Sequence, residues 1–190
     1  MFLYGMGANG FQSYAFDSYG VTFTPEEAKN ARDAYFNLYP GLLPWHERQR
    51  REVRHFGYVR TATGRIRHLP EINSPDREIQ SSAERKAINT PVQSFASDIT
   101  MLAMIMIDNN LKAKYGYERA CLVGQVHDAI MVEADEDIAT EVAILVKRCM
   151  ESVPDILDRY FGIRLDLPIL AEVECGEAWG IGEIVEIPTV

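Results

Sequence analysis

His127 and Asp128 stand side by side within Cys-Leu-Val-Gly-Gln-Val-His-Asp-Ala-Ile-Met-Val-Glu, residues 121–133. An imidazole beside a carboxylate offers a proton carrier next to a hard oxygen ligand. Mg²⁺ suits such a carboxylate, because the ion takes oxygen donors, keeps several waters and is completed by substrate phosphates. A solvated turn carries the same two residues, so the pair alone leaves both readings open. The flanking runs of Val, Ile, Leu and Met predict a hairpin with both arms buried in a sheet and the polar pair at one edge.

A second polar group is Arg85, Asn89 and Gln93, at i, i+4 and i+8. The pattern from about Ser81 to Tyr115 predicts a helix, with Pro91 marking a kink or break. At ~100° per residue the three side chains share one stripe. Ile88, Val92, Phe95, Ile99 and Leu102, continuing through Ile105 and Met106, form the expected buried face, with Asp98 and Asp108 towards water. Arg, Asn and Gln donors match the acceptors that base edges present in a nucleic-acid minor groove, and solvent is the alternative.

The elements around these groups are legible in part. Thr24-Pro25-Glu26-Glu27 is a capping signature, predicting a helix to about Leu38 with Ala28, Ala31, Tyr35 and Leu38 inward. A second helix is expected from Leu43 to about His55, and a hairpin from Tyr58-Val59-Arg60-Thr61 to Arg65-Ile66-Arg67 around Gly64. These two elements carry Arg48, Arg50, Arg51, Arg54, Arg60, Arg65 and Arg67 against Glu47 and Glu52. Guanidinium groups suit phosphate, and a solvated helix face is the plainer account. Asp135 to Glu151 reads as an acidic-headed helix with Ile138, Val142, Leu145, Val146 and Met150 inward. Ile169 to Cys175 alternates as a last strand in the sheet of the 121–133 hairpin. Tyr14, Tyr19 and Phe23 are expected in packing, and Trp45 and Trp179 in core or staple positions.

The chain of 190 residues is 47% hydrophobic and 25% charged, enough for one globular domain or one and a half. Its net charge of −9 argues against a general nucleic-acid coat. Cys121, Cys149 and Cys175 match no zinc spacing and read as reduced thiols. There is no signal-peptide pattern, no apolar run near the length of a membrane span and no phosphate-binding glycine loop. These features predict a soluble intracellular protein.

In their order these motifs resemble the C-terminal part of a family A DNA polymerase, the bacterial DNA polymerase I and phage replicase group. Phe2-Leu3-Tyr4-Gly5-Met6 resembles the end of the fingers helix. The stretches Arg65 to Pro70 and Glu84 to Gln93 are similar to the approach to the long palm helix. Gln125-Val126-His127-Asp128 resembles the metal-binding palm hairpin, and Cys175 to Gly180 the closing segment. The resemblance implies an α+β fold: an antiparallel palm sheet packed on long helices, with partial fingers in residues 1–80 and palm in 81–190.

It also implies template-directed nucleotidyl transfer from a dNTP to a primer 3′-hydroxyl, with two Mg²⁺ ions. Asp128 would hold metal, and His127 would orient the primer terminus or Asp128. Tyr4, Arg65, Arg85, Asn89, Gln93 and Gln125 would contact primer-template DNA. No Asp-x-x-x-x-Glu-Leu-Arg stretch for the family's second aspartate occurs here, and the family's triphosphate-binding Arg and Lys precede the tyrosine. An N-terminal polymerase portion is therefore an expected partner, and the chain alone is expected to be inactive. Phe2, Leu3, Tyr4 and Met6 would form an exposed surface for that partner or for self-association. Ala129 stands where many family members carry glutamate, which bears on the strength or geometry of metal binding. The expected location is the cytoplasm of a bacterial or phage-infected cell, with no membrane partner. Alternatives are a non-catalytic primer-template binding or assembly module, or a purely structural domain.

Overall fold

The computed structural model describes residues 2–185. They fall into two compact units that divide between Phe95 and Ala96.

In the first unit a short 3₁₀ turn, Phe2–Tyr4, precedes helices α1 (Ala8–Tyr19), α2 (Pro25–Leu38) and α3 (Leu42–Phe56). The start of α2 is a full capping box: Thr24 Oγ1 accepts the Glu27 N–H at 3.2 Å, and Glu27 Oε2 accepts the Thr24 N–H at 2.8 Å. Those bonds hold the Glu27 carboxyl below its ordinary value. Gly57, at φ 72°, ends α3 and turns the chain into strand β1 (Tyr58–Arg60), which pairs antiparallel with β2 (Ile66–His68). Val53, Val59, Leu69 and Ile72 pack with Ala83 and Ala87 of helix α4 (Arg77–Lys114). His46 is buried, and its Nε2–H donates to the Leu3 carbonyl at 2.8 Å.

In the second unit β3 (Ala120–Val126) and β4 (Ala129–Ala134) form an antiparallel hairpin, followed by α5 (Ala139–Glu151) and α6 (Val153–Phe161). Ile107 and Leu111 of α4 form its core with Ala120, Ile138, Val142, Val146 and Cys149. Burial in that core raises the Cys149 thiol pKa. A short ladder pairs β5 (Glu174–Cys175) with β6 (Glu183–Ile184).

Several expectations are corrected. The N-terminal apolar residues form no exposed patch: Phe2 is buried against Phe11, Tyr35 and Phe36, and Leu3, Tyr4 and Met6 are half-buried. Only Leu3, Tyr4 and Met6 keep part of their surface for a partner or for self-association. Leu38 is exposed and Phe36 buried, because two residues carry the helix about 200° round. Ile105 is exposed for the same reason, lying between the buried Ala103 and Ile107. Of the kink or break expected at Pro91, the break does not occur, since α4 continues through it. Asp108 accepts the Tyr117 hydroxyl instead of facing water alone. Trp179 is exposed, not core, and Tyr19 is exposed although its ring packs edge-on against Tyr14 at 5.9 Å.

The expected last strand does not join the hairpin. Lys147 of α5 donates to the Ala171 carbonyl at 2.6 Å, and the Ala171 N–H donates to Glu151 Oε1 at 3.2 Å, so α5 side chains take the groups a ladder would use. One window of 18 residues in α4 has a mean hydropathy of 1.2, enough by length and composition to cross a membrane, contrary to the sequence expectation. Ala103 and Ile107 of α4 are buried.

Candidate functional site

The polar pair lies where an antiparallel hairpin reverses. Val126 and Ala129 are the last paired residues, and His127 and Asp128 make the turn between them. Both side chains are exposed. His127 has φ 55°, the one positive value at a non-glycine among the described residues. A residue with a Cβ adopts that region against a steric penalty, and such strain gathers at functional turns. Gln125 stabilises the turn by donating from Nε2 to the His127 carbonyl at 2.8 Å. Further along, the register shifts between Leu122 and Gly124, leaving Val123 as the extra residue of a bulge. The arms are not both buried as expected: Leu122, Ile130 and Val132 pack on the core, whereas Val123 and Val126 are exposed.

The described residues hold no cluster of three or more His, Cys, Asp or Glu side chains able to bind a metal. Asp128 offers one exposed carboxylate at the hairpin tip. That is compatible with Mg²⁺, which commonly takes one or two carboxylates and completes its shell with waters and phosphates.

The polar stripe is built within the first unit. Arg85 and Gln93 are exposed and Asn89 is half-buried. Arg85 donates from Nη1 to Ser81 Oγ at 2.9 Å and borders an open depression of about 650 Å³ with Arg77 and Ser82. Asn89 Oδ1 is buried and has no hydrogen-bond partner among the described residues. A buried polar atom left so costs about 1–3 kcal/mol. The turn after Tyr4 packs on the same helix: a Cβ on Gly5 would meet Ile88 Cδ1 at 3.0 Å.

The basic hairpin is tied to α4 alongside. Arg67 donates to the buried Thr90 Oγ1 at 2.9 Å, and Arg65 to the Ser94 carbonyl at 3.1 Å. The structure thus brings Tyr4, Arg65, Arg85, Asn89 and Gln93 onto or beside one stretch of α4, and separately gathers Gln125, His127 and Asp128 at the hairpin tip. Sequence reasoning missed the Arg67–Thr90 bond and the Glu84 carboxylate, which accepts from Arg54 Nε at 3.0 Å. Both join residues far apart in sequence, and no local pattern announces them.

The family model for DNA polymerase family A matches residues 1–181. The chain belongs to DNA polymerase family A. It is 37% identical over 170 residues to DNA polymerase I of Streptococcus pneumoniae, covering 87% of this chain and 18% of that protein. The DNA polymerase of Bacillus phage SP01 is 34% identical over 161 residues, covering 85% of this chain and 17% of its own length. Among solved structures, the POL domain of Pol1 from M. smegmatis, in complex with DNA primer-template and dNTP, aligns with TM-score 0.72 and 30% identity. That alignment covers 88% of this chain and 27% of the solved one. The chain therefore spans less than a fifth of these curated relatives. The match supports the α+β reading of helices with small antiparallel sheets.

Proposed function

We propose that the chain is the C-terminal portion of a DNA-directed DNA polymerase, contributing Asp128 as one carboxylate of a two-metal nucleotidyl-transfer site. The observation that carries this reading is the exposed Asp128 carboxylate at the tip of the hairpin, in a turn latched by Gln125. Residues 1–80 would belong to the fingers and 81–190 to the palm.

Mg²⁺, when bound, stabilises the attacking and leaving oxygens of an in-line displacement at phosphorus. Asp128 would supply oxygen ligands to it. The second carboxylate and the groups that hold the triphosphate would come from polypeptide outside these 190 residues, on the same chain or another. In the reaction a primer 3′-hydroxyl attacks the α-phosphate of a dNTP, and pyrophosphate leaves. His127, exposed beside Asp128, would position the primer terminus through its ring nitrogens.

Arg85 and Gln93 present exposed donors, which suit the minor-groove acceptors common to A·T and T·A pairs. A grip of this kind holds duplex without reading its sequence. Tyr4 would lie near the templating base, and Arg60 of the hairpin would meet backbone phosphate. The reaction would take place in the cytoplasm of a bacterial or phage-infected cell.

The test is primer extension with Mg²⁺ and dNTPs, by the chain alone and by the chain with an upstream family A polypeptide carrying the second aspartate. Extension only in the complemented mixture supports the reading. An inactive mixture that still retards primer-template DNA would favour a non-catalytic binding module instead.

A further inference from the structure

The basic segment carries an aromatic feature as well as arginines. His55 and Phe56 end α3, Tyr58 opens β1, and His68 is its cross-strand partner on β2. Their rings follow one another over the surface. His55 meets Phe56 edge-on at 4.5 Å, Phe56 meets Tyr58 at 5.6 Å with 30° between the planes, and Tyr58 meets His68 at 5.8 Å. Phe56 is 55% exposed, His55 and His68 are exposed, and Tyr58 is half-buried. Phe56 therefore fills no core.

Charge surrounds this ladder. Arg51, Arg54, Glu47 and His55 border an open depression of about 500 Å³. Glu47 pairs with Arg50 and Glu84 with Arg54, whereas Arg48, Arg51 and Arg60 make no ion pair among the described residues. The surface is locally cationic on a chain whose net charge is −9. A partner that pairs flat apolar faces with a regular run of negative charge fits this surface. Unpaired nucleotides have both, because each base offers a π-face and each linkage a phosphate. Duplex DNA keeps its base faces stacked inside, so it offers phosphates and groove edges but no exposed π-face.

We propose that His55, Phe56, Tyr58 and His68, with the flanking Arg51 and Arg60, form a stacking platform for single-stranded DNA. Phe56 is the central rung and carries most of the base contact. Arg51 and Arg60 hold the backbone on either side. The platform does not use Asp128, so it stands or falls apart from the catalytic reading.

The test is fluorescence anisotropy of the full chain with labelled oligo(dT) of about 16 nucleotides, at the upper end of single-strand site sizes. Phe56→Ala weakens this binding by at least about fivefold, the lower end of what stacking on one base supplies, and Phe56→Trp retains it. An abasic oligonucleotide of equal length binds the native chain more weakly than oligo(dT), and Phe56→Ala loses most of that difference. Arg51→Gln lowers the salt slope by about 0.7, and blunt duplex binds Phe56→Ala as it binds the native chain. Because Phe56 is exposed, its variants keep the native circular dichroism. Equal oligo(dT) affinity for Phe56→Ala and native chain, equal affinity for abasic and base-bearing strands, or no oligonucleotide binding at low salt would each overturn the platform. Tighter binding of oligo(rU) than of oligo(dT) would overturn its assignment to DNA. Asp128→Asn leaves oligo(dT) binding unchanged, so a failure of catalysis is read separately.

Discussion

Replacing His127 by alanine and, separately, by glycine isolates the conformation of the turn from the chemistry of the imidazole. At most positions glycine is the less stable of the two by about 0.5–1 kcal/mol, because it loses more backbone freedom on folding. At φ 55° the order reverses. A Cβ in the left-handed region costs about 1–2 kcal/mol, which alanine bears and glycine escapes. The difference leaves His127→Gly about 0.5–1 kcal/mol more stable than His127→Ala. With a urea dependence of about 1–3 kcal/mol per molar, the unfolding midpoints separate by a few tenths of a molar. Both variants lack the ring, so both lose whatever activity it supports in a complemented polymerase, to the same extent. An alanine variant as stable as the glycine variant would refute the strained-turn argument. Unequal activities would refute the assignment of the activity loss to the imidazole.

The segment after α6 depends on Lys147, whose ammonium bonds the Ala171 carbonyl and Glu151. Lys147→Met should cost about 3 kcal/mol by urea denaturation, the low end for breaking a buried pair because Glu151 keeps 17% exposure. Glu151→Gln should cost less than half as much, since its amide oxygen still accepts the Ala171 N–H. Burial pulls the pKa of His46 below its ordinary 6.5, although the Leu3 carbonyl favours the charged form. An unfolded chain takes up a proton near 6.5 that the folded chain resists. Stability from neutral His46 is therefore complete above that pH and falls as pH drops towards the folded value. The urea midpoint should decline between pH 7.5 and 5.5, and His46→Gln should remove that part of the decline.

The parts of the fold legible in the sequence are those fixed by neighbours along the chain. The Thr24 cap, the Gly64 hairpin and the His127–Asp128 turn each depend on a few consecutive residues, and each forms where the pattern put it. The errors came where distant residues decide. Phe2 reads as a frayed apolar end until Tyr35 and Phe36 cover it. Residues 169–173 alternate like a strand, yet Lys147 and Glu151 claim the Ala171 backbone first. The site followed the same division. The stripe of Arg85, Asn89 and Gln93 was visible from helical spacing and its donors suited a minor groove or solvent, but the choice of primer-template DNA came from resemblance to a family. The ring ladder from His55 to His68 needed the register of β1 and β2, which no spacing discloses.

Asp128→Asn, compared with native chain in the complemented primer-extension mixture, tests the central claim most directly. Single-turnover incorporation should be measured beside primer-template affinity in the same samples. A carboxylate that holds catalytic metal predicts at least about a hundredfold loss of incorporation, with DNA affinity kept within a fewfold of native. Incorporation by Asp128→Asn at the native rate would contradict the claim and return the hairpin tip to a solvated turn.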